Sequence, residues 1–149
     1  MRTLIDAVSD NNFGEFTQLM AAGADPNEIA PVNLSTPLHG AAHVKNVEMA
    51  KILLAAGANP NATSANGYTP LHIAAGLVTM EMTLSMLQAG ADPFIVAKNG
   101  KTALDVATDY NAQENIALLR RATLSAQVKR KRPPATQTRQ PSGTQVPKI

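Results

Sequence analysis

The sequence predicts an all-α solenoid of four helix-turn-helix repeats with projecting β-turn loops, followed by a disordered C-terminal tail. Two short sequence markers recur at a fixed spacing, and segments with helical apolar periodicity lie between them. Composition agrees, because aromatic residues make up only 3% of the chain and tryptophan is absent. Alanine, leucine and methionine must then do most of the packing, and these residues favour helices.

The first marker is a heptad, Thr-Pro-Leu-His-x-Ala-Ala, that predicts the first helix of each repeat. It begins at Thr36 and Thr69, and a degenerate copy begins at Thr102, so that successive copies are 33 residues apart. Threonine is a good N-cap, and proline suits the first helical position because its missing N–H has no partner there. Residues 4–8 have the spacing of a degenerate first copy.

The second marker, Gly-Ala-Asp/Asn-Pro, predicts the end of the second helix of each repeat. It begins at Gly23, Gly57 and Gly90, each 19 residues after the leucine position of a heptad. Glycine is the residue expected in a left-handed cap at the end of a helix. Residues 47–54, just before one of these glycines, have apolar side chains at broadly helical spacing. The unit is therefore helix, turn, helix and projecting loop.

A single unit of this kind cannot bury its own apolar face, so neighbouring units must stack. The predicted repeats span residues 1–29, 30–63, 64–96 and 97–123. Together they form one domain, residues 1–123. In the last copy Asn115 and Arg120 stand where the second copy has Met49 and Leu54. We therefore expect the outer repeats to be caps, with these polar side chains facing water.

The heptad and its 33-residue period resemble the ankyrin repeat, and the resemblance covers roughly residues 1–122. It implies a protein-recognition module that binds a partner through its concave face. It also implies that His39 and His72 are structural, tying the start of their own helix to the neighbouring loop by hydrogen bonds. The alternative, a metal ligand or a general base, would need an enclosed cleft, and a solenoid offers only a groove.

The resemblance further implies which residues meet the partner, because ankyrin-like stacks use their loop tips and the exposed side of the first helix. The loop tips supply Val32, Asn33, Ser35, Asn66, Tyr68, Lys98 and Lys101. The first helices supply His43, Val44, Leu77, Asp109 and Tyr110. Val44, Leu77 and Tyr110 share one repeat position. They predict either an apolar binding column across the stack or packing against the loop of the next copy.

Catalysis and cofactor binding find no support in these residues. The chain has no cysteine, which excludes disulfides and thiolate metal sites. Asp6, Asp105 and Asp109 are not spaced as the carboxylate pair that acid–base chemistry needs. Gly57 and Gly90 close helices, whereas a phosphate loop opens one. We therefore predict no enzyme, no cofactor, no metal, no small-molecule substrate, and a monomer whose partner is another protein.

Charge divides the chain into an acidic body and a basic end. Residues 1–119 hold 5 basic and 11 acidic side chains, whereas residues 120–149 hold 8 basic and none that is acidic. We predict that residues 124–149 form a disordered Pro/Thr/Gln-rich tail, since they cannot bury enough apolar surface to fold. The tail contains the basic cluster Lys129, Arg130, Lys131 and Arg132. It could act as a signal for the nuclear import machinery, as a patch for nucleic acid or anionic membrane, or only as a solubilising tail.

The expected location follows from the lack of a membrane span and of a secretory signal, and it has two alternatives. No apolar stretch approaches the roughly 18 residues of a membrane span, and the first residues lack the apolar run of a secretory signal. We therefore expect a cytoplasmic or nuclear protein that does not span a membrane. A bacterial effector secreted into a host cell, where it acts on host proteins, would suit the same sequence.

Overall fold

The computed structural model describes residues 1–131, which fold into four stacked pairs of antiparallel helices without a strand. The pairs are α1 (Leu4–Ser9) with α2 (Phe13–Ala21), α3 (Pro37–His43) with α4 (Val47–Ala55), α5 (Pro70–Ala75) with α6 (Glu81–Gln88), and α7 (Ala103–Asp109) with α8 (Gln113–Lys131). The predicted all-α repeat solenoid is confirmed.

The helices begin and end at the residues that the two markers predict. Thr69, for example, accepts a hydrogen bond from the N–H of His72, and its own N–H donates to Nδ1 of His72 at 3.0 Å. Such a reciprocal cap satisfies two helix-end donors and contributes about 1 kcal/mol. At the other end of the unit Gly57 has φ +97°, a left-handed conformation that disfavours a side chain.

The core lies between a layer of first helices and a layer of second helices. The first helices α1, α3, α5 and α7 pack side by side, and α4, α6 and α8 form the layer behind them. Leu38, Leu71 and Met49 are fully buried between the layers. The first helices approach closely at Gly40, where an added Cβ would lie 2.9 Å from Cγ1 of buried Val8. Small residues therefore set the spacing of this layer.

Two ladders of hydrogen bonds join successive repeats outside the core. At the loop tips, the N–H of Ala65 donates to the oxygen of Asn33 at 2.8 Å, and the next loop repeats this contact. Just after the second helices, Asn61 donates from Nδ2 to the oxygen of Gly90 and accepts from the N–H of Asp92. Asn27 makes the same pair of bonds one repeat earlier. Each loop between helical pairs is thus bonded to the next such loop at two points, one just after the second helix and one at the loop tip.

Asn115 corrects the expectation that the polar residues of the last repeat face water. Its side chain is fully buried, although Arg120 on the same helix is exposed. Nδ2 of Asn115 lies 2.8 Å from the oxygen of Leu77 and 3.2 Å from the oxygen of Ala75. Nδ2 of Asn115 therefore acts as a side-chain cap for the end of α5 in the preceding repeat, whereas its buried Oδ1 has no hydrogen-bond partner among the described residues.

The reason lies in the turn after α5, which differs from the other three turns between paired helices. In those turns Asn11, Lys45 and Asn111 have positive φ, and their N–H groups return to the end of the first helix. Val78 stands at this position in the third repeat and does not have positive φ. A β-branched side chain disfavours the left-handed region. The carbonyl of Ala75 is instead satisfied by Asn115.

The C-terminal boundary also differs from the prediction. We expected disorder from residue 124, but α8 continues as a helix to Lys131. One contact favours this extension, because the guanidinium of Arg130 lies 4.2 Å from the ring centroid of Phe94 in the preceding loop. The remainder of the predicted tail, residues 132–149, lies outside the described residues, and with it Arg132.

Candidate functional site

The loop tips and first helices of the second, third and fourth repeats enclose a groove of about 700 Å³. Backbone bonds between adjacent loops hold one wall, and the packed helices α3, α5 and α7 form the other. The apolar floor includes Ile73, Leu77 and Val106. Polar side chains such as Asn33 and Asn66 line the wall formed by the loops. The groove can therefore meet a ligand with both apolar contacts and hydrogen bonds.

Nine of the twelve residues predicted to meet a partner line this groove. They are Asn33, Ser35, His43, Asn66, Tyr68, Leu77, Lys101, Asp109 and Tyr110. Val32, Val44 and Lys98 do not line it. Val32 is almost fully exposed at its loop tip, and Lys98 is also exposed. The backbone N–H of Lys98 donates to the oxygen of Asn66, so Lys98 lies beside the groove wall.

The predicted apolar column divides into residues with different environments. Val44 is half-buried outside the groove, and Leu77 is half-buried and packs against the core. Tyr110 is 71% exposed. Its ring lies against Gly76 at the end of α5, so closely that a Cβ added to Gly76 would be 3.0 Å from Cδ2 of Tyr110. Leu77 thus packs against the core and also lines the groove. Tyr110 alone of the three offers a large exposed ring.

His39 and His72 have the structural arrangement that the resemblance implies. Nδ1 of His39 accepts from the N–H of Thr36 at 3.1 Å, and Nε2 donates to the oxygen of Tyr68 at 2.8 Å. His72 makes the equivalent bonds, and its Nε2 reaches the oxygen of Lys101 at 3.0 Å. Each ring therefore uses both nitrogens to join its helix start to the next loop, which leaves neither free to act as a general base.

Burial lowers the pKa of both His39 and His72 below the ordinary value of 6.5, although the bond to the neighbouring carbonyl opposes the shift. The neutral form is also the one that the geometry requires, because Nδ1 accepts a hydrogen bond while Nε2 donates one. In the fourth repeat Asp105 takes the place of these histidines. Its carboxylate accepts from the N–H of Thr102 at 2.9 Å.

Two contacts fix the groove wall near the third and fourth repeats. The ring of Tyr68 stacks on His72, with ring centroids 5.1 Å apart, and its hydroxyl accepts from Nδ2 of Asn99 at 2.8 Å. Lys101 forms a salt bridge with Asp109, and this hydrogen bond raises the pKa of Lys101. The aromatic wall and the ion pair are therefore held in place before any ligand arrives.

Lys45 lines the groove but was missed from the sequence. It occupies the turn after α3 in a left-handed conformation, with φ +61°. The signal that could have found it is its alignment with Asn11 and Asn111, because asparagine is enriched at such positions and marks an exposed turn. Lys45 and His43 are both exposed and both line the groove.

Within residues 1–131, no group of three or more histidine or acidic side chains is placed to hold a metal ion. None of the helices in this range has the length and apolar character needed to cross a membrane.

Comparison with known proteins identifies the repeats. A family model described as ankyrin repeats, in three copies, matches residues 4–97. The fourth helical pair, α7 with α8, lies beyond the matched range. No curated protein gave a significant match to the chain. The matched repeats, the helix pairs and the histidine bonds between repeats agree: the chain belongs to the ankyrin repeat family and is a protein–protein interaction module.

Proposed function

We propose that the groove holds an extended segment of a partner protein. The observation that carries the proposal is the environment of Tyr110, whose ring is 71% exposed at one end of a groove whose nearby wall is fixed by the contacts of Tyr68 and Lys101. Tyrosine is enriched among residues that dominate binding energy, because it offers a large contact area with only two rotatable side-chain bonds. The apolar floor at Ile73 and Val106 continues this surface.

A site-specific cross-link tests the proposal with the full chain. A photo-reactive phenylalanine at Tyr110 should capture the partner from cell extract, and the same group at exposed Gln18 should not. Mass spectrometry then identifies the captured protein. Capture at Gln18 but not at Tyr110 would place the interaction elsewhere on the stack and overturn the proposal.

Affinity for the identified partner gives a second, independent measure. Tyr110→Ala should weaken binding by about 2 kcal/mol, or about thirtyfold, if the ring is a central contact. Val32→Ala removes an exposed apolar side chain that does not line the groove, and it should change affinity little. Equal affinities for the wild type and Tyr110→Ala would argue against the groove.

A second function is supported by the charge of the C-terminal residues. Residues 120–149 carry eight basic side chains and none that is acidic, and Lys129 and Arg130 are exposed at the end of α8. On this basis the cluster would direct a cytoplasmic chain into the nucleus, or bind nucleic acid or anionic membrane. An effector that acts on host proteins would use the groove and not this cluster.

The variant Lys129→Gln/Lys131→Gln/Arg132→Gln separates the cluster from the groove. It leaves Arg130, which contacts Phe94, in place. If the cluster is an import signal, a fluorescent fusion of the variant should lose nuclear accumulation while its affinity for the groove partner is unchanged. Unaltered distribution of the fusion would remove the import function.

A further inference from the structure

The charge of the groove is opposite to the charge of the domain that carries it. Residues 1–119 contain 5 basic and 11 acidic side chains. Of the basic ones, Lys45 and Lys101 line the groove and Lys98 lies beside it. Of the acidic ones, only Asp109 lines it. Within residues 1–119, which carry a net negative charge, the groove therefore concentrates positive charge, and this favours ligands of negative charge.

The salt bridges of these lysines show which positive charges at the groove are available to a ligand. Lys101 is neutralised by Asp109, and Lys51, on α4 away from the groove, pairs with Glu81. Within residues 1–131, neither Lys45 nor Lys98 has a carboxylate within 4.0 Å. Two basic side chains at the groove are thus available to a ligand, one from the turn after α3 and one from a loop tip.

One polar side chain in the groove is left with a donor to offer. Asn33 uses Oδ1 to accept from the N–H of Ser35, which leaves its Nδ2 as the group that can face a ligand. His43 is exposed on the opposite wall, at the end of α3. Donors and cations recognise carboxylates, whereas a basic segment would find one acidic side chain here that is already paired.

We propose that the groove selects an acidic segment of the partner, whose carboxylates meet Lys45 and Lys98 while an apolar side chain lies against Tyr110. This inference rests on the proposed function, because it names the chemistry of the ligand for the same groove. The chain's own C-terminal residues are an unsuitable occupant, since residues 120–149 carry no acidic side chain and have the same sign of charge as the groove.

Residue-resolved NMR titration of the full chain tests the proposal. The probe is a short peptide of glutamate and leucine, and its counterpart has every glutamate replaced by lysine. The glutamate peptide should shift the amide resonances of Lys45, Asn66, Lys98 and Tyr110, and the lysine counterpart should not. The resonance of Gln18, on an exposed face elsewhere, should not move with either peptide.

Charge reversal provides the matched control. Lys45→Glu/Lys98→Glu should weaken binding of the glutamate peptide about tenfold, since each exposed ion pair contributes up to about 1 kcal/mol. Lys51→Glu/Arg120→Glu changes the net charge by the same amount away from the groove and should leave the affinity nearly unchanged. The wild-type affinity should also fall as salt is added, because exposed charges are screened.

The opposite results overturn the proposal and distinguish its failure from that of the proposed function. If only the lysine peptide shifts the groove resonances, the groove binds peptide but its preference for acidic ligands is wrong. If the glutamate peptide shifts only the resonances of residues 120–149, its site is the basic end. If the groove resonances shift with protein concentration alone, a second copy occupies the groove. The cross-link at Tyr110 tests the proposed function independently of all three results.

Discussion

Nε2 of His39 donates a hydrogen bond to the backbone oxygen of Tyr68, 2.8 Å away, across the boundary between the second and third repeats. His72 and Lys101 form the equivalent bond across the next boundary. Both rings are buried, and both are required in one neutral tautomer. Protonation of these two histidines should therefore lower the free energy of unfolding.

We expect the free energy of unfolding to fall as the pH is lowered below about 6.5. Burial lowers the pKa of His39 and His72 from the ordinary 6.5, so the unfolded chain binds protons that the folded chain refuses. This contribution is fully present above the unfolded pKa and is lost as the pH falls toward the folded pKa. Urea unfolding at about pH 7.5 and about pH 5.5 measures it.

A pair of variants assigns the effect. His39→Gln/His72→Gln should be less stable at neutral pH, and its stability should depend less on pH between the same two values. His43→Gln removes an exposed imidazole from the groove and serves as the control. If the double variant keeps the full pH dependence of the wild type, groups other than the two buried rings are responsible.

Asn115→Met should destabilise the protein, although methionine is the more apolar residue and occupies the same position at Met49 and Met82. The substitution leaves the carbonyl of Ala75 buried without its donor, which costs about 1–3 kcal/mol. Chemical unfolding monitored by circular dichroism measures the change. Glu114→Met, at an exposed neighbouring position on α8, should be nearly neutral. A gain in stability for Asn115→Met would show that the side-chain cap is unimportant.

Gly40→Ala should lower stability by about 1 kcal/mol even though alanine favours helices. The helix propensity gained is about 1 kcal/mol, but the new Cβ would lie 2.9 Å from the rigid, buried Val8, and overpacking costs about 1–3 kcal/mol. Val8→Ala removes the obstacle, so Gly40→Ala should be less harmful in that background. Thermal unfolding of all four proteins forms a double-mutant cycle. Additive effects would contradict a steric conflict.

Leu77→Asp and Tyr110→Asp should differ in stability although both change the same repeat position. Leu77 packs against the core, so a carboxylate there should cost about 2 kcal/mol or more. Tyr110 is 71% exposed, and its substitution should remain within about 0.5 kcal/mol. Denaturant midpoints compare the two. Equal losses would indicate that the Tyr110 ring contributes to packing, and it would then be a poor reporter of binding alone.

Most of the fold could be predicted because each repeat states its structure locally. Thr69 and Gly57 mark a helix start and a helix end through their own side-chain chemistry, whatever the rest of the chain does. The spacing of such markers then sets the stack. The nine groove residues were found for the same reason, since a loop tip or an exposed helix position recurs at the repeat period.

What could not be predicted depends on contacts between repeats. Asn115 resembled a solvent-facing cap when compared with Met49, and its burial follows from the altered turn at Val78, nearly forty residues earlier. The extension of α8 likewise involves a contact between Arg130 and Phe94 of another repeat. Periodicity describes what the copies share. It therefore cannot predict a contact, such as that of Asn115, which compensates for an irregular turn in one copy.

The substitution of Asp105 for the histidines at positions 39 and 72 has a consequence for the growth of the array. Each histidine donates a hydrogen bond from Nε2 to the loop of the following repeat, so these bonds run in one direction along the stack. Asp105 accepts from Thr102, but its side chain has no N–H group with which to bond a following loop. The series of side-chain bonds between repeats therefore ends at Asp105. A fifth repeat added by design would first need Asp105→His, which supplies an Nε2–H donor for the loop of the added repeat.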